Sequence, residues 1–247
     1  MELRPFVARL PTMKVLCRAP LFWLAFGLTF SGAAMADPAS LGERGRLIFS
    51  DDFKQALDPA TWVAEIEAKP GSTVRTENGH LVLDTAGGVT VWLNRRLGGN
   101  LLIEYRRRVF LQGGANDRLS DLNQFWMATG PDGGSPLGRN GAFESYDGLS
   151  LYYFGIGGNG NTSTRLRKYG DGQRVLLQER LDAEHLLKPN HDYLVQTLVK
   201  DGRTAVYVDG RLFFEHRDAN PLREGWFGLR STWSRQQVGA LRIYALD

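Results

Sequence analysis

The sequence predicts an all-β, antiparallel domain, and three observations support this. Short runs of β-branched and aromatic residues recur along the chain and are separated by glycine-rich or polar breaks. Asp209-Gly210 lies between two such runs and is a strong two-residue hairpin turn. Helical spacing occurs only around residues 181–187, just before Pro189, and predicts one surface turn. Sheets with this many strands close into a barrel or stack as a two-sheet sandwich.

The predicted strands follow one another with short connections. In chain order they are residues 47–50, 80–84, 89–93, 101–110, 124–128, the hairpin 151–169, 193–199, 204–208, 211–215, 225–230 and 238–246. Glycines at 79, 87–88 and 98–99 are expected to break the early strands. The loop from Gly130 to Gly141 is rich in Gly, Pro and Asp, and loops of this length in compact domains are often functional.

Residues 1–36 predict a secretory signal peptide. Four basic residues precede the apolar run Leu21–Phe30, and Ala34-Met-Ala36 supplies the small residues of a cleavage site. We therefore expect residues 37–247 to form one secreted or periplasmic domain without a membrane anchor.

The leader holds four basic residues and one acidic residue, so the net charge of +3 belongs to the leader. The remaining chain has 26 basic and 26 acidic residues. Such a balance argues against nucleic acid as a partner. The single cysteine, Cys17, also lies in the leader, which excludes a disulfide from the mature domain.

Gly155, Gly157 and Gly160 have the G-x-G-x-x-G spacing of a dinucleotide-binding turn. That motif needs a following helix to hold the phosphates, and residues 161–169 alternate like a strand instead. The stretch therefore predicts a hairpin, with a six-residue loop over residues 157–162. In this register Tyr152 faces Arg167 and Phe154 faces Arg165 on one side of the sheet, with Leu151, Tyr153 and Leu166 on the other. A tyrosine beside two cations suits proton removal next to a carboxylate, although arginine stems covering aromatic rings explain the same pattern.

Further candidate site residues come from neighbouring segments. Alternation in residues 124–128 pairs Gln124 with Trp126, and alternation in 226–230 pairs Trp226 with Arg230. Each tryptophan is either a sugar-stacking residue or a buried one, and both alternatives stay open. Asn123, Asn159 and Asn161 are candidate hydrogen-bond partners for hydroxyls or a carboxylate, although the last two also suit turns.

Several motifs resemble the concanavalin A-like lectin and glucanase superfamily. They are "FSDDF" with "LDPATW", the late hairpin "VYVDGRLFFE" and the closing "GWFGLRSTWSRQQVGALRIYAL". More closely, "DLNQFWMA", "YYFGIGGNGNTSTRLRKY" and "GWFGLRST" resemble a family of secreted bacterial domains that has no assigned activity. The resemblance covers nearly all of the mature chain and implies an antiparallel two-sheet jelly-roll sandwich. Such jelly rolls include lectin modules, glycoside hydrolases and polysaccharide lyases.

The hydrolase motif of the laminarinase-type jelly rolls, E-x-D-x-x-E, is missing. Its nearest match contains Glu144 and Asp147, whose spacing of three would put them on opposite faces of a strand. The four histidines lie in predicted turns without metal-ligand spacing. We expect no cofactor, although a structural calcium held by backbone and aspartate oxygens stays open.

From the sequence we expect a carbohydrate-active protein, in first place a polysaccharide lyase that cleaves a uronic-acid-containing glycan by β-elimination. Tyr152 is the expected base or acid, while Arg165, Arg167 and Asn123 stabilise charge on the carboxylate. The expected substrate-binding residues are Gln124, Trp126, Phe154, Asn159, Asn161, Trp226 and Arg230. Two alternatives stay open: a non-catalytic glycan-binding module, and a glycoside hydrolase that uses carboxylates such as Asp121 and Glu144.

Overall fold

A computed structural model describes residues 44–247, so the predicted signal peptide lies outside the described residues. The strands are β1 (Arg46–Asp51), β2 (Trp62–Ile66), β3 (Thr73–Glu77), β4 (His80–Leu93), β5 (Leu97–Gly98), β6 (Leu101–Val109), β7 (Leu122–Thr129), β8 (Ser150–Gly157), β9 (Ser163–Gly170), β10 (Gln173–Arg180), β11 (Asp192–Lys200), β12 (Arg203–Val208), β13 (Arg211–Arg217) and β14 (Glu224–Ala245). Within residues 44–247, short helical turns occur at α1 (Gly158–Asn161) and at two 3-10 helices, Phe143–Tyr146 and Ala183–His185. Within this part of the chain no helix is long and apolar enough to cross a bilayer.

All strand pairs are antiparallel, and they form a sandwich joined through two long strands. The order is β10-β9-β8-β7-β14-β6-β11-β12-β13. The first part of β14 pairs with β7 and the later part with β6, while β4 follows β14 along both parts. The two ends of this order face each other, because the Phe154 and Phe214 rings lie 6.0 Å apart and Gln124 Nε2 donates to Thr197 Oγ1 at 2.5 Å. The predicted all-β sandwich is therefore confirmed.

The main apolar core lies between the two sheets. A second, smaller apolar cluster lies on the other side of the β7–β8 pair and includes Trp92, Phe125, Tyr146, Tyr153 and Tyr169. The segment after β7, which contains the 3-10 helix Phe143–Tyr146, packs over this second cluster. Two faces of one sheet are thus buried, one by the opposite sheet and one by a loop.

One buried carboxylate holds that loop down. Glu65 Oε1 accepts hydrogen bonds from the backbone N–H groups of Gly138 and Arg139 at 2.7 and 2.8 Å. Its Oε2 accepts from Trp92 Nε1 at 2.9 Å and from the Tyr146 hydroxyl at 2.7 Å. Four donors satisfy the lone pairs of a buried carboxylate, so Glu65 ties the loop to β2 and β4.

The predicted strand breaks were wrong in two places. Gly87-Gly88 lies inside the continuous strand β4, where a Cβ on Gly88 would come within 2.1 Å of the Gly141 carbonyl oxygen, so the glycine admits the loop instead of ending the strand. Similarly, β14 continues from Glu224 to Ala245 through a bulge after Thr232. The segments β2, β3 and β10 are strands that the sequence pattern did not identify.

Candidate functional site

A cleft of about 480 Å³ opens beside the second apolar cluster, where β7, β8 and β9 meet the loop. Its walls are rich in arginine, and we call it the arginine cleft. It is lined by Arg118, Asp121, Asn123, Phe143, Glu144, Tyr153, Gly155, Gly158, Asn159, Ser163, Arg165, Arg167, Arg174 and Thr232. Five residues named from the sequence as catalytic or substrate-binding, Asn123, Asn159, Arg165, Arg167 and the neighbouring buried Arg230, lie in or directly behind it.

The hairpin register decides which tyrosine enters the cleft. Tyr153 pairs with Arg167 and Gly155 with Arg165, whereas Tyr152 pairs with Lys168. The predicted register is therefore wrong by one residue, which reverses the face of every β8 side chain relative to the arginines. The loop closes more tightly than expected because Asn159, Gly160 and Asn161 all have positive φ, at 55°, 69° and 65°. No regular helix follows the glycines, so the rejection of a dinucleotide turn stands.

Tyr153 and Asn123 form the polar centre of the cleft. The Tyr153 hydroxyl donates a hydrogen bond to Asn123 Oδ1 at 3.0 Å, across the β7–β8 ladder. The tyrosine ring reaches this position by lying over Gly155, where an added Cβ would stand 2.2 Å from both the hydroxyl and Asn123 Oδ1. Burial raises the pKa of Tyr153, and the nearby Asp121 carboxylate raises it further, so the phenol stays protonated at neutral pH.

The arginines of the cleft are held in different ways. Arg165 Nε donates to Glu179 Oε1 at 2.5 Å. When the Asn159 side-chain amide is oriented with its oxygen towards the guanidinium, that oxygen lies 2.9 and 3.2 Å from the two terminal nitrogens of Arg165. Arg174 lies 3.9 Å over the Phe143 ring and pairs with Asp147. Arg167 has no carboxylate within 4 Å among residues 44–247, and its buried Nε has no hydrogen-bond partner there. Arg167 and Arg118, which also lacks an ion-pair partner among these residues, are therefore the cations of the cleft that can receive an anion from outside.

Two acidic side chains share the cleft with these cations. Burial raises the pKa of Asp121, although hydrogen bonds from the Ser120 and Asn123 side chains oppose the shift. The Ser120 hydroxyl lies 2.6 Å from Asp121 Oδ2. Glu144, in the 3-10 helix of the loop, is exposed. A carboxylate with a raised pKa is a stronger proton acceptor than an ordinary one.

Two fully buried arginines support the floor. Arg107 donates to the carbonyl oxygens of Asn123 at 2.6 Å and Arg230 at 2.7 Å, and burial lowers its pKa to about 10. Arg230 is 0% exposed, donates to Thr90 Oγ1 and the Gly141 carbonyl oxygen, and lies 4.5 Å from the Tyr146 ring centroid. Burial also lowers the pKa of Arg230. Among the described residues its Nε and Nη2 have no partner, so its positive charge is only partly compensated.

The prediction that Tyr152 faces the arginines was wrong. Its side chain belongs to the main core, stacks on Trp126 at 5.5 Å and donates to Asp218 Oδ2 at 2.5 Å. Lys168 Nζ donates to the same oxygen at 2.7 Å. Burial, followed by the hydrogen bond to Asp218, raises the pKa of Tyr152.

Five predicted substrate-binding residues also lie away from the cleft. Gln124, Trp126 and Phe154 point into the main core, because they share the face of Tyr152. Asn161 is occupied by Leu187, whose backbone N–H and C=O it binds at 2.8 and 3.0 Å. Trp226 packs on the edge of the second cluster with Arg96 over its ring. Arg118, Phe143, Tyr153 and Arg174 were missed, and the length and composition of the loop after β7 were the available signal for Phe143.

In residues 44–247 no group of three or more His, Cys, Asp or Glu side chains is arranged to hold a metal ion. The structural calcium therefore stays a prediction.

The fold is that of the concanavalin A-like jelly rolls, and solved structures share it at low sequence identity. A protein of unknown function with a galectin-like fold from Bacillus subtilis superposes with a TM-score of 0.68 at 15% identity, over 82% of this chain and 97% of the other. The carbohydrate binding module CBM66 from Bacillus subtilis gives 0.52 at 12%, over 75% and 96%. A Bacillus licheniformis beta-glucanase gives 0.56 at 14%, over 82% and 99%.

The sequence itself identifies a family within this class. The chain belongs to the family described as a domain of unknown function, DUF6250, which matches residues 83–241. That span runs from β4 into β14 and contains every residue of the arginine cleft. No curated protein matches the sequence.

Proposed function

We propose that this protein cleaves an acidic, uronate-containing polysaccharide by β-elimination in the arginine cleft. The observation that carries the proposal is the arrangement on one sheet face of Arg165, Arg167 and the hydrogen-bonded pair Tyr153–Asn123. Two proteins that share the fold are a carbohydrate binding module and a beta-glucanase, and this supports a glycan as the ligand.

The cations account for binding of the uronate carboxylate. Arg167 lacks an ion-pair partner in the described chain, and the planar guanidinium fork binds a carboxylate through two hydrogen bonds. Arg165 is already oriented by Glu179 and Asn159, so it loses little freedom when a ligand arrives. Charge that develops on the carboxylate as the C5 proton leaves is stabilised by these groups in a partly dehydrated site.

The proton transfers are assigned to Asp121 and Tyr153. In β-elimination a base removes the C5 proton, the C4–O4 bond breaks, a C4=C5 double bond forms and the departing oxygen takes a proton. Asp121 has a raised pKa and suits the base, whereas the protonated Tyr153 suits the acid that serves the leaving oxygen. Asn123 positions the phenol through its 3.0 Å hydrogen bond.

A glycoside hydrolase is the second candidate. Asp121 and Glu144 come from different segments and both line the cleft, as a pair of hydrolytic carboxylates would. Because hydrolysis consumes water and leaves no double bond, the products of the two reactions differ.

The test is incubation of the protein with polygalacturonate, alginate and hyaluronan, and with neutral glucans as controls. New ultraviolet absorbance from an unsaturated uronate, together with new reducing ends, is the expected result on one acidic polymer. New reducing ends without the absorbance would replace the lyase by a hydrolase. Binding without either product would leave a glycan-binding module, and no binding to any acidic polymer would overturn the proposal.

We also propose that the protein is exported, on the strength of its basic, apolar and small-residue leader. N-terminal sequencing of the protein from its native host is expected to begin at Asp37. Retention of Leu21–Phe30 in a membrane fraction would contradict this.

A further inference from the structure

Trp233 is an exposed aromatic residue beside the arginine cleft. Its side chain is 46% exposed, and it is the only aromatic residue among the large exposed apolar side chains of residues 44–247. The preceding residue, Thr232, lines the cleft. A half-exposed indole keeps one ring face accessible to a ligand, so Trp233 is available for stacking.

The backbone that presents Trp233 is strained. Its φ is 57°, in the left-handed region that bulky residues rarely adopt, and it lies at the β14–β4 register shift between Thr232 and Ser234, where this one residue of β14 faces Ala86 and Gly87 of β4. Strained positions of this kind cluster at ligand sites, where the surrounding structure maintains them.

A cation of the cleft holds the indole. The Arg118 guanidinium lies 5.1 Å from the ring centroid of Trp233 and donates to the Thr232 carbonyl oxygen at 3.3 Å. Arg118 also lines the cleft, so one residue joins the indole to the anion-binding walls. A flat apolar ring beside a guanidinium matches an acidic sugar, whose C–H face packs on the indole while its carboxylate meets the cation.

We propose that Trp233 and Arg118 form a second sugar-binding position outside the arginine cleft, which holds the next acidic sugar of a bound chain. The proposal rests on the proposed function, because it extends the same binding path along the glycan. Long chains then gain affinity from Trp233, whereas a disaccharide confined to the cleft does not.

The experiment compares binding of disaccharides and hexasaccharides of polygalacturonate, alginate and hyaluronan by the wild type, Trp233→Gly and Leu212→Ala. Leu212 is the matched control, since it is 42% exposed on β13. For Trp233→Gly we expect about tenfold weaker binding of the preferred hexasaccharide and unchanged binding of its disaccharide, while Leu212→Ala matches the wild type. Because glycine relaxes the left-handed φ, the melting temperature should not fall, which separates lost binding from lost folding.

If Trp233→Gly binds the hexasaccharide as tightly as the wild type does, the second sugar-binding position is overturned and the proposed function is left intact. An equal loss for both chain lengths would also overturn it, because Trp233 would then act inside the cleft. If the wild type binds none of the three acidic hexasaccharides, the proposed function itself fails.

Discussion

The two faces of the β7–β8 strand pair are both buried, yet only one of them borders the arginine cleft. On the core face Tyr152 stacks on Trp126, and its hydroxyl is bound to an Asp218–Lys168 ion pair. On the cleft face Tyr153 binds the neutral Asn123 beside arginines that lack full compensation. Burial raises the pKa of both phenols, so burial does not distinguish them. The difference lies in the partner of each hydroxyl, which is the Asp218–Lys168 ion pair for Tyr152 and the neutral Asn123 side chain for Tyr153.

The largest expected effect separates these two tyrosines. Tyr153→Phe removes the proposed acid and should lower the turnover of an acidic polysaccharide about a hundredfold or more, with little change in binding. Tyr152→Phe, the matched control, should keep the rate and lose stability, because Asp218 loses one hydrogen bond. Steady-state kinetics and urea unfolding measure both. A slower Tyr152→Phe beside a fully active Tyr153→Phe would reverse the assignment of the two faces.

The next effect concerns the loop that covers the cleft side. In Glu65→Gln an amide NH2 group replaces one carboxylate oxygen, which accepts two hydrogen bonds in the wild type. The buried amide then faces the N–H or O–H groups that donated to that oxygen, such as Trp92 Nε1 and the Tyr146 hydroxyl. We expect the free energy of unfolding to fall by about 2–3 kcal/mol. Limited proteolysis should then cut faster between residues 130 and 142. The control is Glu77→Gln, which removes an exposed pair with Arg75 and should cost less than about 0.5 kcal/mol. Equal urea midpoints for the two variants would show that Glu65 does not hold the loop.

A smaller effect is expected at Gly155. An alanine Cβ there would meet the Tyr153 hydroxyl and Asn123 Oδ1 at 2.2 Å, so the pair must separate and the rate should fall about tenfold. Gly170→Ala on β9 is the control, since its Cβ would meet nothing nearer than 3.9 Å. Kinetic constants on the same acidic polymer measure the effect. An unaltered rate in Gly155→Ala would mean that the Tyr153–Asn123 geometry is irrelevant to turnover.

The smallest expected effect concerns Asp218, the carboxylate that binds Tyr152 on the core face. Although burial opposes its ionisation, hydrogen bonds from Lys168 and Tyr152 lower the pKa of Asp218 to about 2. A depressed carboxyl pKa stabilises the fold above the ordinary value of 3.8, and this stability is lost as the pH falls towards about 2. Asp218→Asn should therefore flatten the acid dependence of unfolding by about 1 kcal/mol over that interval. The acid dependence from Asp117, whose pKa the hydrogen bond from Arg235 lowers to about 2, should remain. If Asp218→Asn and the wild type show the same dependence of unfolding on pH, Asp218 does not contribute to acid stability.

Sequence reasoning placed the two hairpin arginines on one face correctly but assigned the wrong tyrosine to that face. Arg165 and Arg167 could be placed on one face because alternation along a strand holds in any register. Tyr152 could not be distinguished from Tyr153, because the register depends on how three consecutive left-handed residues close the hairpin. A one-residue error also moved Phe154 to the wrong side.

Other parts of the cleft depend on long-range contacts that no local pattern contains. Arg118, Phe143 and Arg174 come from three separate segments, and the loop fold that brings Phe143 beneath Arg174 is fixed by Glu65. Gly155 was noticed as part of a phosphate-binding spacing, whereas its role is to give the Tyr153 ring space to reach Asn123.

The most direct test of the arginine cleft is titration calorimetry with the preferred acidic hexasaccharide, comparing Arg167→Gln with Arg211→Gln. Arg211 is an arginine on β13 that pairs with Glu184 and does not line the cleft. The account predicts that Arg167→Gln binds at least about tenfold more weakly and with a shallower salt dependence, while Arg211→Gln binds like the wild type. Equal affinities for the two variants would contradict the assignment of the cleft as the anion-binding site.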